Sequence, residues 1–389
     1  MLVLLFLLLP IAAGYGWFMG RRSLSAEAKK RSTSLSRQYV AGLNFLLSDQ
    51  PDKAVDLFIE LLKVDSETIE THLALGNLFR RRGEVDRAIR IHQNLIARPS
   101  LTKEQRNLAM EQLARDFLAA GLYDRAESIL SQLRHDSTHE EAALTQLLVI
   151  YQHMRDWGEA IAVAERLQKY KGKQVTSTIA HFYCEQAEIE LKENRLAQAL
   201  AKYKKALSVD KNCVRASMSL AELYMSQDDY RAALRMLQRI ARQDVEFVGE
   251  IIEPLEECAS RLGMPDEVKS FLGELIQYNP GASVILKLAD IIYRQQGLGA
   301  AEGFMLAQLR QHPTMKGFHQ LMSFHLQEAE EGRARESLSL LKELVENQLK
   351  SRPTHRCGEC GFSTHSLFWL CPSCKSWGTI KPIRGLNGE

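Results

Sequence analysis

The chain is short of cysteine, of net charge and of catalytic signatures. Seven cysteines in 389 residues are too few for a disulfide framework, and four of them fall in one stretch after residue 356. That usage points to thiols kept reduced, as in a cytosol. The formal net charge of +2 is close to neutral for this length. It argues against general binding to nucleic acid and against an acidic-tail protein. There is no Walker A sequence and no Gly-x-Ser-x-Gly elbow. His139-Glu140 lacks the second histidine of a zincin, because Ala143 stands in its place. Gly297-Leu298-Gly299 lacks the third glycine of a dinucleotide loop. Nothing here reads as an enzyme.

Long uncharged runs are scarce as well, and the one that stands out is residues 1–20, MLVLLFLLLPIAAGYGWFMG. It is about long enough to cross a hydrocarbon core of roughly 30 Å as a helix. Pro10 and the glycines are tolerated in such a helix, and Tyr15, Trp17 and Phe18 sit where an interfacial belt would fall. A cleaved signal peptide is the rival reading. It would want a basic residue before the apolar run and a better small-x-small site than Gly14, Gly16 and Gly20 provide. Arg21, Arg22, Lys29, Lys30, Arg31 and Arg37 follow, opposed only by Glu27. By the positive-inside rule the N-terminus lies outside and everything after Arg21 is cytoplasmic. Residues 21–34 read as a basic juxtamembrane linker. Ala12, Gly16 and Gly20 are four apart, a small-residue face suited to contact with another membrane helix, although glycine is also simply common in such helices.

From residue 35 to 348 the chain repeats itself. In THLALGNLFRRRGEVDRAIRIHQNLIARPS (71–100), apolar residues recur at helical spacing on both sides of Gly83. Gly76 and Ala88 are small where two helices would touch. The small residue early in the second helix returns at Ala54, Ala88, Ala126, Ala160, Ala199, Ala233, Ala301 and Ala334. Most steps are about 34 residues. Two longer steps place their surplus at Ser100–Glu104 and Lys171–Thr176. The double step from Ala233 to Ala301 hides a seventh, degenerate unit whose marker falls on Glu267, beside Val268. The pattern resembles the tetratricopeptide repeat (TPR) family, with about nine units forming an all-α superhelical solenoid. Asn77, Arg80 and Arg115 project from first-helix positions that face the groove in that family. They could hold carboxylates of an extended peptide, and an ordinary solvated helix face is the competing reading.

A composition change at Lys350-Ser351-Arg352-Pro353 ends the array. Residues 354–384 then carry Cys357-x-x-Cys360 and Cys371-x-x-Cys374. Two such knuckles complete a tetrahedral four-sulfur site, and such a closed site leaves no position for catalysis. CGECGF and CPSCKSW resemble the knuckles of a rubredoxin-type or zinc-ribbon domain, with a much shorter loop between them than electron-transfer rubredoxins have. Phe362, Phe368, Trp369 and Trp377 are more aromatic surface than about thirty residues can bury alone. Trp369 or Trp377 is therefore expected to pack on the final repeats, around Leu338 and Leu341.

Anchor, repeats and knuckle occur together with GNLFRRRGEVDRAIRIHQ, AHFYCE, RQHPTMKGFHQLM, HLQEAEEGRARESL and WGTIKPIRG. In these the whole chain resembles the lipopolysaccharide assembly protein B family of Gram-negative bacteria. The resemblance implies an inner-membrane adaptor that limits lipopolysaccharide synthesis. It would promote degradation of the deacetylase LpxC by the membrane protease FtsH, and an inner-membrane sensor protein would oppose it. The resemblance also implies iron on the four cysteines, with zinc the alternative metal. Two other function classes stay open on the residues: a rubredoxin-like electron carrier on a TPR scaffold, and a nucleic-acid-binding zinc ribbon. Lys375, Lys381 and Arg384 would serve the last, against the near-neutral chain.

Overall fold

The computed structural model describes residues 69–389 and five single positions before them (41, 44, 45, 53 and 57). The proposed membrane span, the linker and the Ala12–Gly16–Gly20 face lie outside the described residues. Among the described residues, no helix is long and apolar enough to cross a membrane. The chain divides into two compact units, Met1–Met154 and Arg155–Glu389.

Five helices are described in the first unit. They are α1 (Ile69–Arg81), α2 (Val85–Ile96), α3 (Lys103–Ala119), α4 (Tyr123–Leu133) and α5 (Glu140–Met154). Each helix packs on the next. The surplus residues before α3 form its start: Thr102 and Gln105 make a reciprocal capping box, each side chain accepting from the other's backbone N–H.

The second unit continues the pattern. It runs α6 (Trp157–Lys171), α7 (Thr176–Lys192), α8 (Leu196–Val209), α9 (Val214–Ser226) and α10 (Tyr230–Gln243). After these come α11 (Ile252–Arg261), α12 (Pro265–Leu275), α13 (Ala282–Gln296), α14 (Leu298–Gln311), α15 (Met315–Glu328) and α16 (Arg333–Ser351). The second surplus is the 3-10 turn Gly172–Val175. A further 3-10 segment, Val245–Ile251, precedes α11 and places Phe247, Val248 and Ile251 in the core.

Six of the eight repeat markers do what their size suggests; Ala334 is exposed, and Ala54 lies outside the described residues. Ala88, Ala126, Ala160, Ala199, Ala233 and Ala301 are all fully buried. In the degenerate unit Val268 fills that place, and the neighbouring Glu267 accepts a hydrogen bond from the Gln238 amide at 2.9 Å. The turn inside a repeat needs a left-handed residue. Gly83 and Gly121 supply it at φ +79° and +73°, and Asn194 and Asp228 do so at +59°.

Gly76 shows how tight the helix pairs are. A Cβ there would fall 2.4 Å from Nε2 of the His92 ring, and that ring is pinned by Asp116 at 2.5 Å. Ala would gain about 1 kcal/mol in helix propensity. It would lose about 1–3 kcal/mol to overpacking against a ring that cannot swing away. Gly76→Ala is therefore expected to destabilise the first unit in chemical denaturation. A variant as stable as the parent, or more so, would show that His92 yields.

Candidate metal centre

The C-terminal segment folds around a three-stranded antiparallel sheet in the order β2-β1-β3. The strands are β1 (His355–Cys357), β2 (Ser363–Thr364) and β3 (Ile380–Pro382). Cys357 closes β1, opposite Ile380. The chain then turns back at Gly361, whose φ is +77°. The Gly361 N–H donates to the Cys357 carbonyl at 3.0 Å, and the Cys357 N–H donates to the Phe362 carbonyl at 2.8 Å. The second knuckle repeats this backbone. Lys375 takes the left-handed place at φ +59°, its N–H donates to the Cys371 carbonyl at 3.0 Å, and Cys371 N–H donates to Ser376 at 2.9 Å.

The two turns bring the four thiols together. All four Sγ atoms lie within 4.8 Å of one another. Cys357 and Cys374 are 3.7 Å apart, as are Cys360 and Cys371. A tetrahedral ion with bonds of about 2.3 Å sets sulfur–sulfur edges of about 3.8 Å, so the donor set fits such an ion. Cys357 and Cys371 are buried, and Cys360 and Cys374 reach the surface. The Thr379 hydroxyl, 3.3 Å from Cys357 Sγ, holds that thiol down to about 6. Ser376 likewise lowers Cys374, and burial pushes Cys371 up to about 11. The knuckles thus combine thiols that ionise readily with one that needs a cation to give up its proton.

The tryptophans do not pack on the last repeats, contrary to the expectation above. Leu341 is 54% exposed. Trp369 stacks on Phe247 at 5.8 Å and lies against His181 at 6.0 Å. Trp377 stacks on His181 at 5.3 Å and meets Trp157 and Phe182 edge-on at 6.1 and 5.9 Å. The Arg215 guanidinium sits 5.8 Å from the Trp377 ring, and its NH2 donates to Glu185 at 2.8 Å and to Glu188. The aromatic surface of the module is thus covered by rings on α6, α7 and the 245–251 segment. Gly378 allows the approach, since a Cβ there would fall 2.8 Å from His181 Nε2.

Polar ties fix the orientation. Lys381 reaches Asp244 at 2.7 Å and Glu246 at 2.9 Å, and His355 Nε2 lies 3.2 Å from Glu250. Burial lowers the Lys381 ammonium, but the two carboxylates more than offset it and its pKa ends raised. Further on, Arg384 donates to the Asn279 carbonyl. The Glu389 carboxylate accepts from the Ser283 N–H at 2.8 Å, from its hydroxyl at 2.6 Å and from Lys316. Burial raises that carboxyl, and Lys316 with Ser283 brings it below the ordinary range.

The proposed groove residues have neighbours of their own. Arg80 donates to Asn77 at 2.7 Å, to Gln112 at 3.0 Å and to Asp116 at 2.6 Å, so Asn77 and Arg80 come together. Arg115 is one repeat further, on α3, and pairs with Glu111 at 2.6 Å; Glu111 also meets His139 at 2.9 Å. Cys184, Cys213 and Cys258 are buried core residues. Sequence reasoning missed the docking roles of His181, Arg215, Phe247 and Glu389, because no periodicity or ligand spacing ties them to the knuckle.

His181 gives the docking a pH dependence. Burial, with Arg215 adding to it, lowers its pKa to about 3. An unfolded histidine protonates near 6.5, so between the two values the unfolded chain binds more protons. The stability held by neutral His181 is present above about 6.5 and is lost as pH falls toward 3. On metal-loaded protein, lowering pH from 7.5 to 5.5 should cost about 1 kcal/mol more in the parent than in His181→Phe. Equal losses in denaturation of the two would contradict this.

Comparison with known proteins agrees with the geometry. Residues 355–382 match a family model described as rubredoxin metal binding domain, and residues 71–106 and 190–247 match tetratricopeptide repeat models. The crystal structure of MamA protein aligns at 18% identity over 47% of this chain and 95% of that one, with a TM-score of 0.32, too low to carry an argument. Lipopolysaccharide assembly protein B of Escherichia coli (strain K12) is 52% identical over 388 residues, covering 100% of both chains. The protein of that name from Haemophilus influenzae is 44% identical over 98% of both. With identity of that extent over the full length, the chain belongs to the lipopolysaccharide assembly protein B family.

Proposed function

We propose that this chain is an inner-membrane adaptor that restrains lipopolysaccharide synthesis. The observation that carries the reading is the full-length identity to relatives named for lipopolysaccharide assembly. Residues 1–20 serve as a single-pass anchor with the N-terminus periplasmic and the repeats on the cytoplasmic side, as the arginines after Gly20 favour. The clients are the deacetylase LpxC and the membrane protease FtsH, and an inner-membrane sensor protein antagonises the pairing. The chain performs no catalysis. It supplies effective concentration, by holding a substrate beside a protease that shares its membrane. Asn77 and Arg80, and separately Arg115, are candidate contacts for that cargo, and Ala12, Gly16 and Gly20 for the protease's membrane helix.

Cys357, Cys360, Cys371 and Cys374 hold the metal, with iron the reading from the family and zinc the alternative. When bound, the ion closes the sulfur shell and supplies folding energy to a segment too small to fold on its core alone. Around it, the chain's own residues do the positioning: Trp369 and Trp377 seat the module, and Lys381, His355 and Glu389 set its orientation.

Deletion of residues 1–20 separates scaffold from tether. The truncated chain should retain metal and bind LpxC in vitro, yet fail to accelerate LpxC turnover in cells. An unrelated membrane helix of the same orientation should restore turnover if tethering alone is needed. Normal turnover by the soluble truncation at native expression level would refute the adaptor mechanism.

A further inference from the structure

The near-neutral net charge conceals a sorting of charges within the second unit. The first helices α7 and α11 carry Glu185, Glu188, Glu190, Glu253, Glu256 and Glu257, against only Lys192 and Arg261. The second helices reverse the sign. There α8 has three lysines and α10 has four arginines, with no acidic residue in either. Lys204, Lys205, Arg231, Arg235 and Arg242 are exposed, and so is Lys211 just after α8. The two helices are tied at this end, where the Lys211 carbonyl accepts from Arg239 at 3.2 Å and from the Gln243 amide at 2.7 Å. The exposed cations thus join into one patch. Among the described residues none of them is ion-paired, whereas Arg195, Arg215, Lys287 and Lys381 of the same unit all are. The carboxylates at the start of α10 are already engaged. Asp229 caps the helix by accepting from the Ala232 N–H at 3.0 Å, and Asp228 accepts from the Tyr230 hydroxyl at 3.1 Å. Helix stability gives no reason for the pattern. Arg231, Arg235 and Arg239 are four apart, where like charges repel, and Arg231 stands in the first turn, where the macrodipole disfavours a cation.

We infer that the exposed basic patch of α8 and α10 lies against an anionic lipid surface, the phospholipid headgroups of the membrane that carries the anchor. The inference rests on the anchored reading above, which keeps such a surface at high effective concentration beside the repeats. Headgroup phosphates supply the anions that the patch lacks. Each cation near an anionic leaflet strengthens the attraction about fivefold at physiological salt. Nucleic acid fits this face less well, because no exposed aromatic ring offers its bases a platform. Tyr203 is buried, and Tyr230 is half-buried with the Arg261 guanidinium over its ring. Contact through the second helices leaves the first helices free, with their acidic residues and, on α7, the docked metal module.

The test is amine acylation of the metal-loaded full chain in lipid nanodiscs, one set of phosphatidylcholine alone and one set containing phosphatidylglycerol as well. Labelling of Lys204, Lys205 and Lys211, read by peptide mass spectrometry, should slow at least threefold in the anionic discs, while Lys375 of the second knuckle keeps its rate. Salt at about 0.5 M should abolish the difference, because the screening length falls to roughly 4 Å. Arg231→Gln combined with Arg235→Gln should at least halve the protection of Lys204 and Lys205 on the neighbouring helix, with metal content and circular dichroism unchanged. Unchanged protection in that folded variant would overturn the inference. Equal labelling of the parent in the two kinds of disc would overturn it while leaving the anchor in place. A chain that enters neither disc would overturn the anchored reading and this inference with it. Protection that survives the salt, or that appears only when single-stranded RNA is added, would overturn it by giving the patch to an uncharged contact or to nucleic acid.

Discussion

The stacking of Trp369 and Trp377 on Phe247 and His181 is the contact on which the second unit depends. A metal knuckle of this size has almost no interior: its own cluster is Cys357, Cys371 and Ile380, with Phe362 and Leu367 beside them. Its two tryptophans must be covered from outside, and large aromatic rings carry much of the energy of any such contact. The array meets that need with rings placed early, on α6 and α7, and with the 245–251 segment, so that the module reaches back across the unit. The long-range ion pairs of Lys381, His355 and Glu389 then fix its angle.

Metal and docking support each other. An ion on the four cysteines would hold the two knuckles at the spacing that carries β1, β3 and the 369–377 loop, and those elements present the tryptophans. Within the module, Cys357 and Cys371 are buried beside Ile380, while Cys360 and Cys374 face outward. His181 stays neutral in that contact because burial lowers its pKa to about 3, and the neutral ring stacks without leaving a second cation beside Arg215.

Much of the array was legible in the sequence because its rule is steric. Ala88 through Ala301 are small where helices touch, and the structure buries each of them fully. The degenerate unit was legible through Val268, beside the expected marker, and the second surplus through the 3-10 turn at Gly172–Val175. The knuckles were legible because ligand spacing is a local property of the chain. The docking site was not. Trp377 stood out as a ring its own module cannot bury, but His181 is far from it in sequence and holds an ordinary helix position, so nothing named the partner. Proximity in sequence suggested Leu338 and Leu341, and the chain passes them by. Glu389 was equally silent, although Ser283 and Lys316 close around it.

The account's central claim is that the metal module and the middle of the array form one cooperative body. Hydrogen exchange of the full chain, with and without removal of the metal by a chelator, tests it most directly. Loss of the metal should expose the amides of the module. It should also lower protection in Thr176–Lys192, Val214–Ser226 and Val245–Ile251, while Leu298–Gln311 keeps its own. Unfolding of the module with unchanged protection in those three segments would contradict the claim.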